Sequence, residues 1–165
     1  MPTDVLHPPI VKTVCWPDEA ATQRFATALA ALPALRQAFV ELHGELGAGK
    51  TTLVRHLLRA LGVTGRIKSP TYAVVEHYEL PGLALWHFDF YRFTDPREWE
   101  DAGFRDIFAS PGLKLAEWPA KATGCLPLAD LVIQVAVRDD EAREVSLTAH
   151  TSTGRQLLGV LEATP

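Results

Sequence analysis

Gly44-Glu45-Leu46-Gly47-Ala48-Gly49-Lys50-Thr51 fits the pattern G-x-x-x-x-G-K-S/T without a mismatch, and no other feature restricts the fold of this chain so strongly. A loop of this kind works where a strand delivers it and a helix leaves it. The glycines let successive N–H groups turn inward, and the helix N-terminus adds partial positive charge, which together make a nest for the phosphates of a nucleotide. The flanking residues meet that requirement. Ala38 to Leu42 is a short apolar run of strand type, and Thr51 to Leu61 has helical spacing and ends at Gly62, a residue suited to a left-handed C-cap. In such a loop Lys50 reaches the β- and γ-phosphates and Thr51 places its hydroxyl on Mg2+. Thr52 can donate to an α- or β-phosphate oxygen.

The rest of the chain predicts an α/β protein built around that loop. A helical pattern runs from Pro17 through Phe25, Leu29 and Leu32, with Asp18 and Glu19 in its first turn and Pro33 stopping it. Ala73 to Glu79 and Leu83 to Asp89 read as antiparallel strands joined by Leu80-Pro81-Gly82. Thr94 and Asp95 before Pro96 predict a short helix through Glu98 and Asp101, and another short helix fits around Asp106. Leu113 to Glu117 is an apolar strand closed by Trp118-Pro119. Leu131 to Val137 and Val145 to Ala149 form a second hairpin, after which Thr153 is placed to cap a final helix over Leu157 to Leu161. The expected architecture is a P-loop NTPase-like three-layer sandwich, with a mixed, mostly parallel sheet and antiparallel hairpins, in a single domain over residues 1–165.

Composition narrows the function. With 165 residues, 47% hydrophobic and 22% charged, the chain has the ordinary globular mix. Its 16 basic and 20 acidic side chains give a net charge of −4, which disfavours a protein whose main task is to grip nucleic acid by its phosphates. The greasiest stretch, Phe25 to Leu35, is short and holds Pro33, so no membrane span is expected, and the N-terminus has no secretory pattern. A cytoplasmic protein is expected. Cys15 and Cys125 lack zinc or disulfide spacing and read as two buried free thiols.

A P-loop enzyme needs an acid to help hold Mg2+ and a group to orient the attacking water, and in open α/β sheets both lie beyond the carboxyl ends of strands. Two strands here end in an acid, at Asp89 and at Glu117. The expectation is that Asp89 holds Mg2+ directly or through water, while Glu117 either completes the metal site or acts as general base. His87 and Arg92 stay open: the first is a buried strand histidine or a site residue, the second pairs with an acid or with phosphate.

The loop Gly44 to Thr52, Lys68-Ser69-Pro70-Thr71-Tyr72, His87-Phe88-Asp89-Phe90-Tyr91-Arg92, and Glu117-Trp118-Pro119 form a set of four segments. Together they resemble the TsaE family of bacterial tRNA threonylcarbamoyladenosine biosynthesis proteins. The likeness covers nearly the whole chain and the segments fall in the family's order. Phe90 stands where a leucine is common. The resemblance implies a small ATPase that uses ATP and Mg2+ beside two partner proteins, of the TsaB and TsaD type, which transfer a threonylcarbamoyl group to the adenosine adjacent to the anticodon. Any contact with tRNA would run through those partners. It further implies that Lys50 and Thr51 bind phosphate and Mg2+, that Thr71 lies in a switch-like loop, that Asp89 is the Walker B acid, and that Glu117 binds metal or promotes hydrolysis.

Three other functions can be weighed on residues alone. A GTPase selecting guanine through N-K-x-D is excluded, because the chain contains no asparagine. A small-molecule kinase would share the P-loop but needs a lid of phosphate-binding arginines, for which Arg97 and Arg105 are the only candidates. A nucleotide-gated binding module, in which ATP orders the loop around Thr71 for a partner, is the third. The basic stretch Lys50, Arg55, His56, Arg59, Arg66 and Lys68 holds no acid, and reads as a solvated helix face or as a docking surface for an acidic partner or tRNA. No pattern marks the residues around the base. The segment Pro17-Asp18-Glu19 or the turn over 138–143 could approach it.

Overall fold

The computed structural model describes residues 4–67, 74–95, 97 and 103–163. Seven strands form one sheet in the order β1-β7-β6-β2-β5-β4-β3. They are β1 (Val5–Trp16), β2 (Phe39–His43), β3 (Val75–Leu80), β4 (Leu83–Asp89), β5 (Leu113–Glu117), β6 (Leu131–Val137) and β7 (Arg143–Thr151). β2 pairs in parallel with both β5 and β6, and β4 pairs in parallel with β5. The hairpins β3–β4 and β6–β7 are antiparallel, as is β1 against β7. Followed across the sheet, β1, β6, β2, β5 and β4 run one way, and only β7 and β3 run the other. The expected mixed, mostly parallel sheet is what the chain forms.

Alternation along the central strands supplies two cores. Val40 and Leu42 of β2, Leu113 and Leu115 of β5 and Ile133 of β6 face α1 (Glu19–Ala30) and α2 (Lys50–Leu61), and this larger core also takes in Leu157 and Val160. Phe39, Phe88 and Ala116 face the other way, against Phe104 of α3 (Phe104–Ala109) and Ala122 of the 3-10 turn Pro119–Ala122. Phe88 stacks on Phe108 with ring centroids 4.9 Å apart and meets Phe104 edge-on at 5.4 Å. With helices on both faces, all five residues of β5 are buried, Lys114 and Glu117 included, as befits a central parallel strand. This is the three-layer arrangement expected.

Several boundaries differ from expectation for identifiable reasons. β1 was not foreseen, because Pro8 and Pro9 interrupt it; it is an edge strand whose register shifts between Val5 and Ile10, where proline is tolerated. Asp18 is the N-cap of α1 rather than part of its first turn, accepting from Ala21 N at 2.9 Å. The final helical region is capped by Thr151, not Thr153, and is split into α4 (Ser152–Leu157) and α5 (Val160–Ala163). Thr151 also donates to Asp130 Oδ1 at 2.7 Å, and Asp130 Oδ2 accepts from Phe39 N at 2.8 Å, so the cap is tied to the starts of β2 and β6. Cys15 is exposed and Cys125 half-buried, so the thiols are free but neither is buried: Cys15 lies on the face of β1 that also exposes Val11 and Thr13. The helix expected from Pro96 through Glu98 and Asp101 lies, apart from Arg97, outside the described residues. No helix among the described residues is long and apolar enough to cross a membrane.

Gly154 fixes how α4 seats on the sheet. A Cβ at this position would lie 1.8 Å from the backbone oxygen of Asp130. Alanine is favoured over glycine in a helix by about 1 kcal/mol, but no rotamer relieves a clash with backbone, and overpacking costs ~1–3 kcal/mol. Gly154→Ala is therefore expected to destabilise the fold by about 2 kcal/mol or more. Urea unfolding of the two proteins checks this.

Candidate functional site

The P-loop leaves β2 at Gly44 and enters α2 at Lys50, as the sequence requires. At Gly44 a Cβ would sit 2.6 Å from the Val135 carbonyl oxygen, so the loop can follow the end of β6 only with glycine there. Ala48 N donates to Glu45 O at 3.0 Å and closes the turn, while Gly49, in the left-handed region, starts the helix. Leu46 stands exposed at the loop tip. The first turn of α2 then carries Lys50, Thr51 and Thr52 in sequence, with the positive end of the helix dipole beneath the loop.

Lys50 is 4% exposed and is stowed rather than extended. Its Nζ donates to the Gly44 carbonyl and lies 3.6 Å from the centroid of the Trp118 ring. Burial pushes the Lys50 ammonium below the usual lysine range, opposed by the charges of Glu117, Asp89 and Glu45. Trp118 reaches this place because it adopts the left-handed conformation, φ 56°, at the end of β5, before Pro119 opens a 3-10 turn. Tyr91 packs on its ring at 5.0 Å.

The two strand-end acids meet as expected. In the parallel register of β4 and β5, Asp89 stands opposite Glu117, on the face that carries α2. Thr51 Oγ1 donates to Glu117 Oε1 at 3.1 Å, and the second carboxylate oxygen lies 2.6 Å from His87 Nε2. Asp89 Oδ1 accepts from Tyr91 N at 3.0 Å. Burial raises Asp89 above the ordinary carboxylate range; the Tyr91 N–H opposes this and the neighbouring Glu117 charge adds to it. Two acids and a hydroxyl, all hard oxygen donors, fit Mg2+ arriving with phosphate. Among the described residues there is no group of three or more His, Cys, Asp or Glu that could hold a metal unaided, the usual situation for Mg2+ on nucleotide.

Beside the loop, on the side of α1, lies a cleft of about 190 Å3 lined by Trp16, Asp18, Glu19, Thr52, Glu141 and Arg143. Both segments singled out in the sequence as able to approach a base, 17–19 and 138–143, border it. Arg143 Nε donates to Ala48 O at 2.6 Å and so ties β7 to the P-loop, a contact that no sequence pattern announced. Trp16 Nε1 is buried with no hydrogen-bond partner among the described residues.

Of the residues expected in the site, Lys50, Thr51, Asp89 and Glu117 converge, Gly44, Glu45, Leu46, Gly47, Ala48 and Gly49 form the loop, and Thr52 borders the cleft. Thr71 and the rest of Lys68 to Tyr72 lie outside the described residues. His87, left open between core and site, is both: buried, and bonded to Glu117. Arg92 is exposed. The basic face of α2 is partly engaged within the fold, since Arg59 Nη1 donates to Val63 O at 3.0 Å and His56 lies 3.7 Å from Glu19.

A family model described as Threonylcarbamoyl adenosine biosynthesis protein TsaE matches residues 16–145. A tRNA threonylcarbamoyladenosine biosynthesis protein TsaE from Haemophilus influenzae is 42% identical over 146 residues, 86% of this chain and 92% of that one. The protein of the same name from Bacillus subtilis is 38% identical over 108 residues, covering 66% of this chain and 67% of its own. The crystal structure of Bacillus subtilis YdiB superposes with a TM-score of 0.75 at 29% identity, covering 93% of this chain and 96% of that one.

The raised Asp89 has a consequence for stability. Its folded value lies above its unfolded one, so the native state loses stability as pH rises through the window between them, and at neutral pH the full cost of the charged form is present. Asn can still accept from Tyr91 N and carries no charge. Asp89→Asn is therefore expected to stabilise the fold at pH 7 by about 0.5–1 kcal/mol, a modest figure because the group is partly solvated. The gain should vanish towards acid pH. Thermal unfolding of both proteins across pH tests it.

Proposed function

This chain belongs to the TsaE family, and on that premise we propose that it is a P-loop ATPase acting in threonylcarbamoyladenosine modification of tRNA. Residues 1–165 act as one domain, in the cytoplasm, that binds and hydrolyses Mg·ATP within a complex of TsaB- and TsaD-type partners. Those partners perform the transfer and meet the tRNA. The observation that carries the ATPase reading is the convergence of Lys50, Thr51, Asp89 and Glu117 at one end of the sheet.

The reading assigns each group a task. Backbone N–H groups of residues 47–52 cradle the phosphates at the helix N-terminus. Lys50 leaves the Gly44 carbonyl and the Trp118 ring for the β- and γ-phosphates, regaining in their negative charge the stabilisation it gave up on leaving water. Thr51, Glu117 and Asp89 would hold Mg2+. When bound, the ion neutralises charge developing on the transferred phosphoryl group. The base enters the cleft beside Trp16, where the carboxylates of Asp18 and Glu141 can accept from the exocyclic amine of adenine. Arg97, one of two candidate lid residues for a kinase, pairs with Asp95 on its own segment at 3.0 Å, which favours hydrolysis over transfer to a small acceptor.

The test is phosphate release from Mg·ATP by the protein alone and with its two partners. Weak release that rises when the partners are added is expected, and Lys50→Ala should lower it by about 100-fold or more. Phosphate appearing on a small acceptor instead would establish the kinase. ATP-dependent partner binding without turnover would establish the gated module.

A further inference from the structure

We infer that His87 is a positioning residue of the hydrolytic site, holding the Glu117 carboxylate through an Nε2–H bond; the inference deepens the ATPase reading and rests on it. His87 is 1% exposed and Glu117 3% exposed, in the body of the sheet where a carboxylate survives only if its oxygens are satisfied. Both are. Oε1 takes the Thr51 hydroxyl at 3.1 Å, and Oε2 lies 2.6 Å from His87 Nε2. One donor comes from the first turn of α2 and the other from β4, so the carboxylate is clamped between the phosphate loop and the strand that carries Asp89.

The other ring nitrogen identifies the tautomer. Among the described residues, His87 Nδ1 is buried with no hydrogen-bond partner. With hydrogen on Nε2, the ring donates to Glu117 and leaves only a bare lone pair unmet. With hydrogen on Nδ1, a buried N–H would go unpaired and the Nε2 lone pair would face a carboxylate oxygen at 2.6 Å. The first arrangement is therefore the native one. It still leaves one buried polar atom unsatisfied, at a cost that a leucine or phenylalanine here would not carry. A cost retained at one nitrogen, with a short bond to a site carboxylate at the other, is explained by a task at Glu117 and not by packing. The Thr51 hydroxyl is also the group the P-loop pattern assigns to Mg2+. Once it turns to the metal, the His87 bond is the contact that keeps Glu117 aimed.

The experiment compares His87→Gln, whose amide nitrogen can occupy the Nε2 position, with His87→Leu, which has no donor. In the complex with both partners, His87→Gln should keep kcat close to wild type, while His87→Leu loses about 10–100-fold in kcat with little change in KM, the usual cost of deleting a group that orients a metal-binding carboxylate. ATP binding in chelator should be unchanged in both, and its strengthening by Mg2+ should be lost only in His87→Leu. Long-range 1H–15N spectra of histidine-labelled protein should show His87 protonated at Nε2 alone, with the signal moving in Glu117→Gln. Equal activity and equal Mg2+ response in His87→Leu and wild type would overturn the inference, as would a His87→Gln as impaired as His87→Leu, or a proton on Nδ1. If the wild type releases no phosphate with its partners, the ATPase reading fails, and the tautomer and Glu117→Gln spectra still decide the bond by themselves.

Discussion

Two carboxylates in register at the ends of neighbouring parallel strands repel each other, and water would normally separate or screen them. Here the sheet forbids separation, because Asp89 and Glu117 are paired positions of β4 and β5, and the burial of Glu117 with the half-burial of Asp89 removes part of the screening. Everything around them compensates. The Lys50 ammonium sits in the same field, Thr51 and His87 each bond one oxygen of Glu117, and a backbone N–H meets Asp89. The site is thus a concentration of negative charge only partly neutralised by the chain itself, which is the electrostatic condition for taking up a divalent cation together with a nucleotide.

How much of this could be read in the sequence depended on whether the signal was local. The P-loop, the strand before it and the helix after it are contiguous, and each supports the others; they were legible down to the Gly62 cap. The β3–β4 hairpin was legible because Pro81 and Gly82 stand between two apolar runs, and the β6–β7 hairpin because the charged residues Arg138 to Glu141 separate two alternating ones. β1 was not, since Pro8 and Pro9 count against a strand in any local reading and only its pairing with β7 makes it one. The cap of α4 was placed two residues late, because Thr151 and Thr153 are chemically alike and the choice is made by Asp130, far away in the chain.

The site divides in the same way. Lys50, Thr51, Asp89 and Glu117 were named because each ends or begins an element whose direction could be inferred. His87 could not be separated from an ordinary core histidine, because the deciding fact is a contact across thirty residues of sequence. The turn ending at Arg143 was singled out for the base, but its bond to the P-loop, and Trp16 beside it, were invisible for the same reason: the cleft they border exists only once β1 and β7 are laid beside the P-loop. The stowed Lys50 is a further case, since a motif specifies where a lysine goes with phosphate but not where it waits without it.

The two ends of the sheet bear on how the protein meets other chains. A sheet with free edges invites strands from elsewhere to add to it, and natural proteins blunt such edges with proline and charge. β1 carries Pro8 and Pro9, which have no N–H to offer, and Lys12 beyond them; β3 carries Glu76 and Glu79. Self-association by strand addition is disfavoured on both sides. A partner is left the strand ends and the helical faces as places to dock, and the strand ends are where the phosphate loop opens.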